Sequence, residues 1–385
     1  MTPKSPSVFF YVQHLLGIGH LARASRIARA MLDLGMEVTL VTGGLPVQGF
    51  PGPGISHIAL PPLAVAGSEF AGLVTASGEP ADAAYLEARK NQLLAAYHAA
   101  KPDIVLTEAF PFGRRQVRFE LLPLIDAIQA SESRPALVSS VRDILQRRIK
   151  PGRNEETVAL VESAFDLVLV HGDPSFAALG DSFALADQLT KPIAYSGLVC
   201  PPAPPLPTET FDVLVSAGGG AAGKHLITDA IGAAALLPHL ANWLIITGPN
   251  LAQADYDALN AKLPPNVTLA RFRVDLASLM RGAKLSVSQA GYNTVADVLM
   301  AGCRALLVPY AVDGETEQTD RATLLKSLGR CRALTESSLT ATSLAAAIKA
   351  EIERPMPSRA LAINLNGATR SAEILRDLAQ SRARA

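Results

Sequence analysis

The sequence contains little cysteine and no excess of either charge. Cys200, Cys303 and Cys331 are its 3 cysteines, and none belongs to a C-x-x-C pair, which argues against a disulfide framework or a zinc site. Lysine plus arginine and aspartate plus glutamate number 35 each, so no overall field draws the chain onto nucleic acid. These absences favour a reducing, cytoplasmic setting and partners selected by a local site, with no nucleic acid among them.

Long hydrophobic runs are missing as well. No uninterrupted stretch of about 18 apolar residues occurs, and the N-terminal apolar run contains His14 and leads into a glycine turn, unlike a signal peptide. We therefore expect no membrane-spanning helix, while peripheral contact with the inner face of a membrane stays open. With 385 residues, 49% of them hydrophobic, the chain can bury two cores.

Apolar strands alternate with helical patterns along two successive parts of the chain. The strands are near-continuously apolar, as in strands buried on both faces of a sheet. They include "SVFFYVQHL", "EVTLVT", "DIVLTE", "PALVSSV" and "FDLVLVHG", then "FDVLVSA", "NWLIITG", "VTLARF", "LSVSQAG" and "RALLVPY". This pattern predicts an α/β fold of two doubly wound parallel sheets, which bind ligands beyond the carboxyl ends of their strands.

A proline-rich stretch separates the two parts. Five prolines in "CPPAPPLPTET" exclude a helix or central strand there. A last helix is expected over about residues 358–380, packed back on the first domain. The predicted segments are 1–200 for the N-terminal domain, 201–210 for the linker, 211–355 for the second domain and 356–385 for the C-terminal helix.

The glycine loop "SAGGGAAGKHL" matches two nucleotide-binding motifs over its glycines. A P-loop requires serine or threonine after its lysine, but His225 follows Lys224. A dinucleotide loop requires an acid at the end of the next strand, which here ends "IITGPN". What remains is a strand-to-helix turn whose free amides and helix dipole suit a diphosphate; a plain turn without a ligand is the alternative.

Two later stretches repeat this arrangement. "SQAGYNTVADVLMAG" is another strand, glycine turn and helix, with Asp297 one turn into the helix. An acid there can accept hydrogen bonds from a ribose diol or can simply interact with the helix dipole. "VPYAVDGETEQTDRA" places a polar loop directly after an apolar strand, where a crevice ligand would lie, although most charged loops are only solvated.

From about residue 211 to 350 these stretches resemble the donor-binding half of the MurG-like glycosyltransferases. That family includes the enzyme that adds N-acetylglucosamine to the lipid-linked peptidoglycan precursor. Its wider class has the GT-B fold, in which two Rossmann-like domains face a cleft that holds a nucleotide sugar. The resemblance implies a UDP-sugar donor, no cofactor and no bound metal.

The resemblance also assigns donor-binding roles to individual residues. They are Gly218, Gly219 and Gly220 near the diphosphate; Phe272 and Arg273 at the nucleobase; Gly291, Asn293 and Thr294 at the phosphates; Asp297 at the ribose; and Glu317 and Gln318 at the sugar. Two positions depart from the family pattern, since Ala290 replaces a serine and Glu317 replaces a glutamine. The donor sugar is therefore not assigned.

"GIGHLARASRIARAMLDLG" is similar to the first loop and helix of the same class. The similarity places Gly17, Gly19 and Arg23 near a phosphate and makes His20 the cleft histidine. The positive end of a helix dipole disfavours the imidazolium form, so His20 could act as a base on an acceptor hydroxyl. Simple capping of the helix is the alternative.

Acids and a histidine at other strand ends are further candidates. Glu108 and Asp143 could each orient His20 or act as the base, and the sequence does not rank them. His171 and Asp173 in "LVHGDPSF" could face the cleft, but we favour an ordinary turn there.

The expected activity is metal-independent, inverting transfer of a hexose from a UDP-sugar to an acceptor hydroxyl, in the synthesis of a polysaccharide or glycoconjugate. The acceptor, lipid-linked or small, is unknown. One alternative is a nucleotide-sugar hydrolase, because "GIGHLAR" also resembles the loop of the UDP-sugar hydrolase of pseudaminic acid synthesis. Another is a non-catalytic nucleotide-sugar-binding protein.

Overall fold

The computed structural model describes residues 5–15, 17–65, 72–147, 150–218, 223–248, 251–356 and 362–384. The chain divides into two compact units. The first contains Met1–Val199 and Ile363–Ala385, and the second contains Cys200–Ala362. Residues 200–210, which include the predicted linker, contain neither helix nor strand. No helix in the described ranges is long and apolar enough to cross a membrane.

The strands are short and mostly apolar. In chain order they are β1 (Ser7–Val12), β2 (Glu37–Thr42), β3 (Ser56–Ala59), β4 (Ala64–Val65), β5 (Leu73–Val74), β6 (Ile104–Glu108), β7 (Ala136–Arg142), β8 (Leu167–His171), β9 (Ile193–Tyr195), β10 (Val213–Ser216), β11 (Trp243–Ile246), β12 (Val267–Ala270), β13 (Leu285–Ser288), β14 (Ala305–Leu307) and β15 (Arg332–Ala333).

The α-helices are distributed between the strands along both units. They are α1 (Gly19–Asp33), α2 (Ala83–Ala100), α3 (Arg118–Gln129), α4 (Arg153–Ala164), α5 (Leu179–Ser182), α6 (Lys224–Leu236), α7 (Gln253–Asn260), α8 (Leu276–Gly282), α9 (Tyr292–Ala301), α10 (Glu317–Ser327), α11 (Ala341–Glu353) and α12 (Gly367–Arg384).

Each unit has one parallel sheet. The first has the order β3-β2-β1-β6-β7-β8-β9 and the second the order β12-β11-β10-β13-β14-β15. In both, the strand order reverses once, between β1 and β6 and between β10 and β13. Ligands of doubly wound sheets bind at this switch point, beyond the carboxyl ends of the strands. The predicted fold class of doubly wound parallel sheets is confirmed.

Burial on both sheet faces explains why the strands are apolar throughout. In β1, Phe9, Phe10 and Tyr11 are all fully buried. One face of the first sheet packs on a core shared with α2, α3 and α4. Helices α1 and α12 contact each other, and α12 also contacts β8. The core of the second unit surrounds Trp243 and includes residues of α6 and α11.

The structure departs from the predicted elements in two ways. The last helix begins at Gly367 and not near residue 358, because a turn precedes it in which the Asn364 carboxamide accepts from the Asn366 amide at 2.9 Å. Asn366 also forms an isolated bridge with Val199. Strands β3, β9 and β15 and the antiparallel pair β4 and β5 were not predicted, because they have only 2 to 4 residues and little apolar pattern.

Candidate active site

His20 and Glu108 meet at the switch point of the first sheet. His20 is the second residue of α1, which follows the loop after β1, and Glu108 ends β6, the strand beside β1. Nδ1 of His20 lies 2.9 Å from Oε1 of Glu108. The histidine side chain keeps 18% of its surface exposed, whereas the carboxylate is fully buried. Of the pair, only the imidazole is therefore in part accessible to solvent.

Hydrogen-bond donors surround the Glu108 carboxylate. The Arg23 guanidinium contacts Oε1, and the Ser140 hydroxyl donates to Oε2 at 2.7 Å. Burial alone would raise the pKa of Glu108, but the charge of Arg23 and the hydrogen bond with His20 hold that pKa well below its usual range. Glu108 is thus a charged acceptor that orients its neighbours.

His20 is electrically neutral in this setting. Burial, helped by the nearby charge of Arg114 and opposed by Glu108, lowers the pKa of His20 to about 3. Nδ1 lies 2.9 Å from a carboxylate that can only accept and 3.4 Å from Nη2 of Arg23, which can only donate. Because the carboxylate is the closer partner and Arg23 already donates to it, we assign the ring proton to Nδ1. Nε2 then carries a lone pair, and this arrangement can take a proton from a hydroxyl group.

Arg23 does not lie at the open glycine turn, where it was expected to meet a phosphate. Its side chain is only 2% exposed and serves as the counter-ion of Glu108. The reason is its position one turn after His20 on α1, on the face of the helix that packs against the sheet. Gly17 and Gly19 flank that turn, and a side chain built at Gly17 would meet open space.

The structure distinguishes the other strand-end candidates. Of the two acids, Glu108 contacts His20, whereas Asp143 follows β7 and is fully buried against Gly172. Asp173 accepts from the amides of Ser175, at 2.9 Å, and Asn364, at 2.8 Å, which confirms the turn interpretation. His171 is fully buried at the end of β8.

Two contributors to this site were not predicted. Arg114 has a left-handed backbone (φ 58°) in the loop after β6, and its charge acts on His20. Ser140 lies directly opposite Glu108 in the register of β6 and β7. No motif signals Arg114, but aligning the two strands by their carboxyl ends would have indicated Ser140.

The loops after β10 and β13 lie together at the switch point of the second sheet. Gly218 has φ +72°, and a Cβ built there would lie 3.3 Å from Oε1 of Gln289. Gly291 caps α9 with φ −64° and ψ 150°, and a Cβ there would meet nothing within 4 Å. The turn therefore opens onto free space at a helix start. Gly219 and Gly220 lie outside the described residues.

Helix α9 carries three of the predicted donor-binding residues. Asn293 and Thr294 occupy its first turn and Asp297 its second, and all three are half-buried. The helix thus presents polar side chains close to its own amino end, where the dipole favours an anion.

Gln318 and Glu317 open α10 but have different surroundings. The Gln318 side-chain oxygen accepts from the amides of Ala290, at 3.0 Å, and Tyr310, at 3.2 Å, so it ties the loop beside Gly291 to the end of β14. Glu317 is buried and pairs with Arg321 at 2.7 Å. Its carboxylate is bound inside the protein, and the structure does not present it to a sugar.

Phe272 and Arg273 lie in the loop after β12. The Phe272 ring is 64% exposed and is available for stacking. The Arg273 guanidinium bonds Asp275, at 2.8 and 2.7 Å, and Glu209, at 2.7 Å, and these acids raise its pKa. The side chain of Arg273 is therefore held by these two acids, and its backbone is the part left to contact a nucleobase. Among the described residues, no group of three His, Cys, Asp or Glu could hold a metal ion.

Comparison with known protein families places this chain among glycosyltransferases. Residues 213–375 match the glycosyltransferase family 28 C-terminal domain. The chain is similar to the UDP-N-acetylglucosamine--N-acetylmuramyl-(pentapeptide) pyrophosphoryl-undecaprenol N-acetylglucosamine transferases of several bacteria. The Phenylobacterium zucineum protein is 28% identical over 88% of this chain and 87% of its own length, and that of Caulobacter vibrioides 27% over 95% and 96%.

The aligned length differs between relatives. The Mesorhizobium japonicum protein of the same description is 29% identical, but the alignment covers 53% of this chain and 56% of that protein. Two solved structures share the fold over almost the whole chain. The calicheamicin glycosyltransferase superimposes with a TM-score of 0.61 at 16% identity, covering 99% of this chain and 96% of its own. The Acinetobacter baumannii MurG gives 0.58 at 17%, covering 98% and 99%.

Proposed function

Because this chain is a MurG-like glycosyltransferase with the GT-B fold, we propose that it moves a sugar from a UDP-sugar to an acceptor hydroxyl, with inversion and without a metal ion. The observation that carries the mechanism is the 2.9 Å contact between His20 and Glu108 at the first switch point. In this proposal the first unit supplies the catalytic base, and the second unit binds the UDP-sugar donor.

The second unit would bind the donor diphosphate at its switch point. The open turn at Gly291, the start of α9 and the left-handed turn at Gly218 provide backbone amides and the positive end of a helix dipole. Phe272 would flank the nucleobase, and Asp297 would lie at the ribose. A uracil base is supported by the names of the bacterial relatives, whereas two solved neighbours are complexes with thymidine diphosphate.

Transfer would proceed in one displacement. The acceptor hydroxyl gives its proton to Nε2 of His20 while its oxygen forms a bond to the anomeric carbon, and the bond from that carbon to UDP breaks. Glu108 then stabilises the imidazolium through Nδ1–H. The electron pair of the broken bond leaves on the diphosphate, where helix-start amides stabilise the charge. Attack opposite to the leaving group inverts the anomeric centre.

A lipid-linked acceptor is the finer part of this proposal. The bacterial relatives are named for a pyrophosphoryl-undecaprenol acceptor. In the first unit, Ile18 is 46% and Leu45 43% exposed, in the loops after β1 and β2 at the same end of the sheet as His20. Apolar side chains there suit an acceptor presented at a membrane surface, with the protein in peripheral contact.

The test has a donor arm and an acceptor arm. Thermal unfolding with UDP, dTDP, GDP or NAD should show stabilisation by UDP, since a ligand of the folded state raises Tm by mass action. UDP release from UDP-N-acetylglucosamine should then require an undecaprenyl-linked acceptor. A response to dTDP, GDP or NAD but not to UDP would overturn the donor assignment. Free sugar released without acceptor, at the rate of transfer, would identify a hydrolase.

A further inference from the structure

A network of hydrogen-bonded, buried polar side chains, here called the polar network, leads away from Glu108 across one face of the first sheet. Oγ of Ser140 lies 2.7 Å from Oε2 of Glu108 and 2.7 Å from Nε2 of His171. Nδ1 of His171 lies 3.1 Å from Oγ of Ser196 and 3.2 Å from Oγ of Ser371. Ser140, His171, Ser196 and Ser371 are fully buried. The polar network thus joins β6, β7, β8 and the C-terminal helix α12.

The protons of the polar network have one consistent arrangement. An ionised Glu108 can only accept, so the single hydroxyl proton of Ser140 points to Oε2. Ser140 must then accept from Nε2–H of His171. Nδ1 of His171 is left to accept from Ser196, because the hydroxyl of Ser371 donates to the Gly367 carbonyl at 2.6 Å. Burial, followed by the charge of Arg23, lowers the pKa of His171 to about 3. The ring is therefore neutral, with one donor and one acceptor, as this solution requires.

The same directions fix the proton on His20. With Oε2 of Glu108 held by Ser140 and Oε1 held by Arg23 and His20, the carboxylate cannot rotate without breaking buried hydrogen bonds. Each such loss is unfavourable, because the group left behind stays buried and unsatisfied. Oε1 therefore stays on Nδ1–H, and Nε2 of His20 stays free.

We propose that Ser140 and His171 are positioning residues that hold Glu108 and thereby lock His20 in the tautomer with a free Nε2. Ser371 of α12 lies beside Nδ1 of His171 at 3.2 Å, but its hydroxyl donates to the Gly367 carbonyl, so it is not one of the positioning residues. The inference rests on the proposed function for the role of His20, but the tautomer itself is a property of the free protein.

The experiment measures the tautomer and the kinetics on the full-length chain. Imidazole ¹⁵N shifts of His20 should report Nδ1–H in the wild type and a mixture of tautomers in Ser140→Ala and His171→Phe. In both variants kcat should fall about 10- to 100-fold, as when a group that orients a ligand is removed, with KM and the affinity for UDP unchanged. His171→Gln, which can both donate to Ser140 and accept from Ser196, should recover most of kcat.

Ser139→Ala is the matched control. Ser139 is the neighbouring residue of β7 and is equally buried. Its hydroxyl donates to the Phe110 carbonyl at 2.8 Å, outside the polar network. It should lose stability but keep the tautomer and kcat. A wild-type tautomer and kcat in folded Ser140→Ala would overturn the inference, and if that variant does not fold, the same result in His171→Phe would do so.

Failure of the proposed function is distinguishable from failure of this inference. If the wild type shows the Nδ1–H tautomer and the variants lose it, while no UDP-sugar is turned over, the positioning stands and the assigned activity falls. A wild-type ring protonated on Nε2 would overturn the positioning whatever the activity.

Discussion

The imidazole of His20 and the carboxylate of Glu108 meet at 2.9 Å although 88 residues separate them in the sequence. They come from the two neighbouring strand connections at which the order of the first sheet reverses. A charged acceptor on Nδ1 leaves Nε2 as the proton acceptor, so the contact gives the ring a direction as well as a place.

Glu108→Gln should lower kcat about 100-fold or more, the scale of an oriented general base. The amide can offer its NH₂ group to His20 and so no longer selects the tautomer. It also leaves the buried Arg23 without a counter-charge, so the free energy of unfolding should fall by about 3 kcal/mol. Steady-state kinetics and urea unfolding measure the two effects.

Glu120→Gln is the control for this variant. Glu120 is a second buried carboxylate of the first unit, paired with Arg89 at 2.7 Å, so its loss should cost comparable stability while kcat per folded molecule persists. The contact with His20 would have no catalytic meaning if Glu108→Gln kept wild-type kcat.

The acid limb of the pH profile should lie unusually low. Protonation of His20 removes the base, and its pKa of about 3 is below the ordinary value, so kcat/KM should not fall as pH drops from 8 to 5. The charges that act on the ring are Arg114, Glu108 and Arg23. Arg114→Asn, in which asparagine tolerates the left-handed backbone, should raise the pKa of His20 and move the acid limb upward.

Arg115→Ala provides the comparison for Arg114→Asn. Arg115 is partly exposed and pairs with Glu156, so its removal should leave the acid limb in place. A wild-type midpoint near 6.5 would show that His20 is not held neutral by its surroundings.

Gly291→Ala should separate donor binding from folding. The backbone at Gly291 suits alanine, and its Cβ would meet nothing within 4 Å, so the free energy of unfolding should change by less than about 0.5 kcal/mol. The methyl group would project into the proposed diphosphate site, and the Kd for UDP should rise at least about tenfold. Gly72→Ala, also in open space, should change neither quantity. Unaltered UDP binding to Gly291→Ala, measured by calorimetry, would place the diphosphate elsewhere.

Glu317→Gln should act on stability and not on the donor. The carboxylate is buried against Arg321, and weakening that pair should cost about 1–3 kcal/mol. Glu87→Gln, which removes an exposed partner of Lys90, should cost about 0.5 kcal/mol or less. A severalfold change in the KM for the UDP-sugar in Glu317→Gln, without a loss of stability, would show that Glu317 contacts the sugar as the sequence predicts. Its pairing with Arg321 would then not be its whole role.

The sequence predicts the fold because strand and helix periodicity are local, and Gly35, with φ +77°, ends α1 as expected. It also predicts His20 and Glu108 as candidates, since both follow apolar strands. It does not predict which acid meets His20, because strand order and register decide that, and the two strands β1 and β6 are not consecutive in the chain. Arg23 and Glu317 were expected at the ligand, but their sequence positions do not reveal that each has a buried partner of opposite charge.

Transfer by His20→Ala, measured together with the affinity of this variant for UDP, tests the assigned catalytic base. We expect kcat to fall about 100- to 10,000-fold and the Kd for UDP to stay within about twofold of the wild type, because the base and the donor loops belong to different units. His98→Ala, at an exposed histidine of α2, should behave as the wild type. Wild-type turnover by folded His20→Ala would contradict the assignment of His20 as the base.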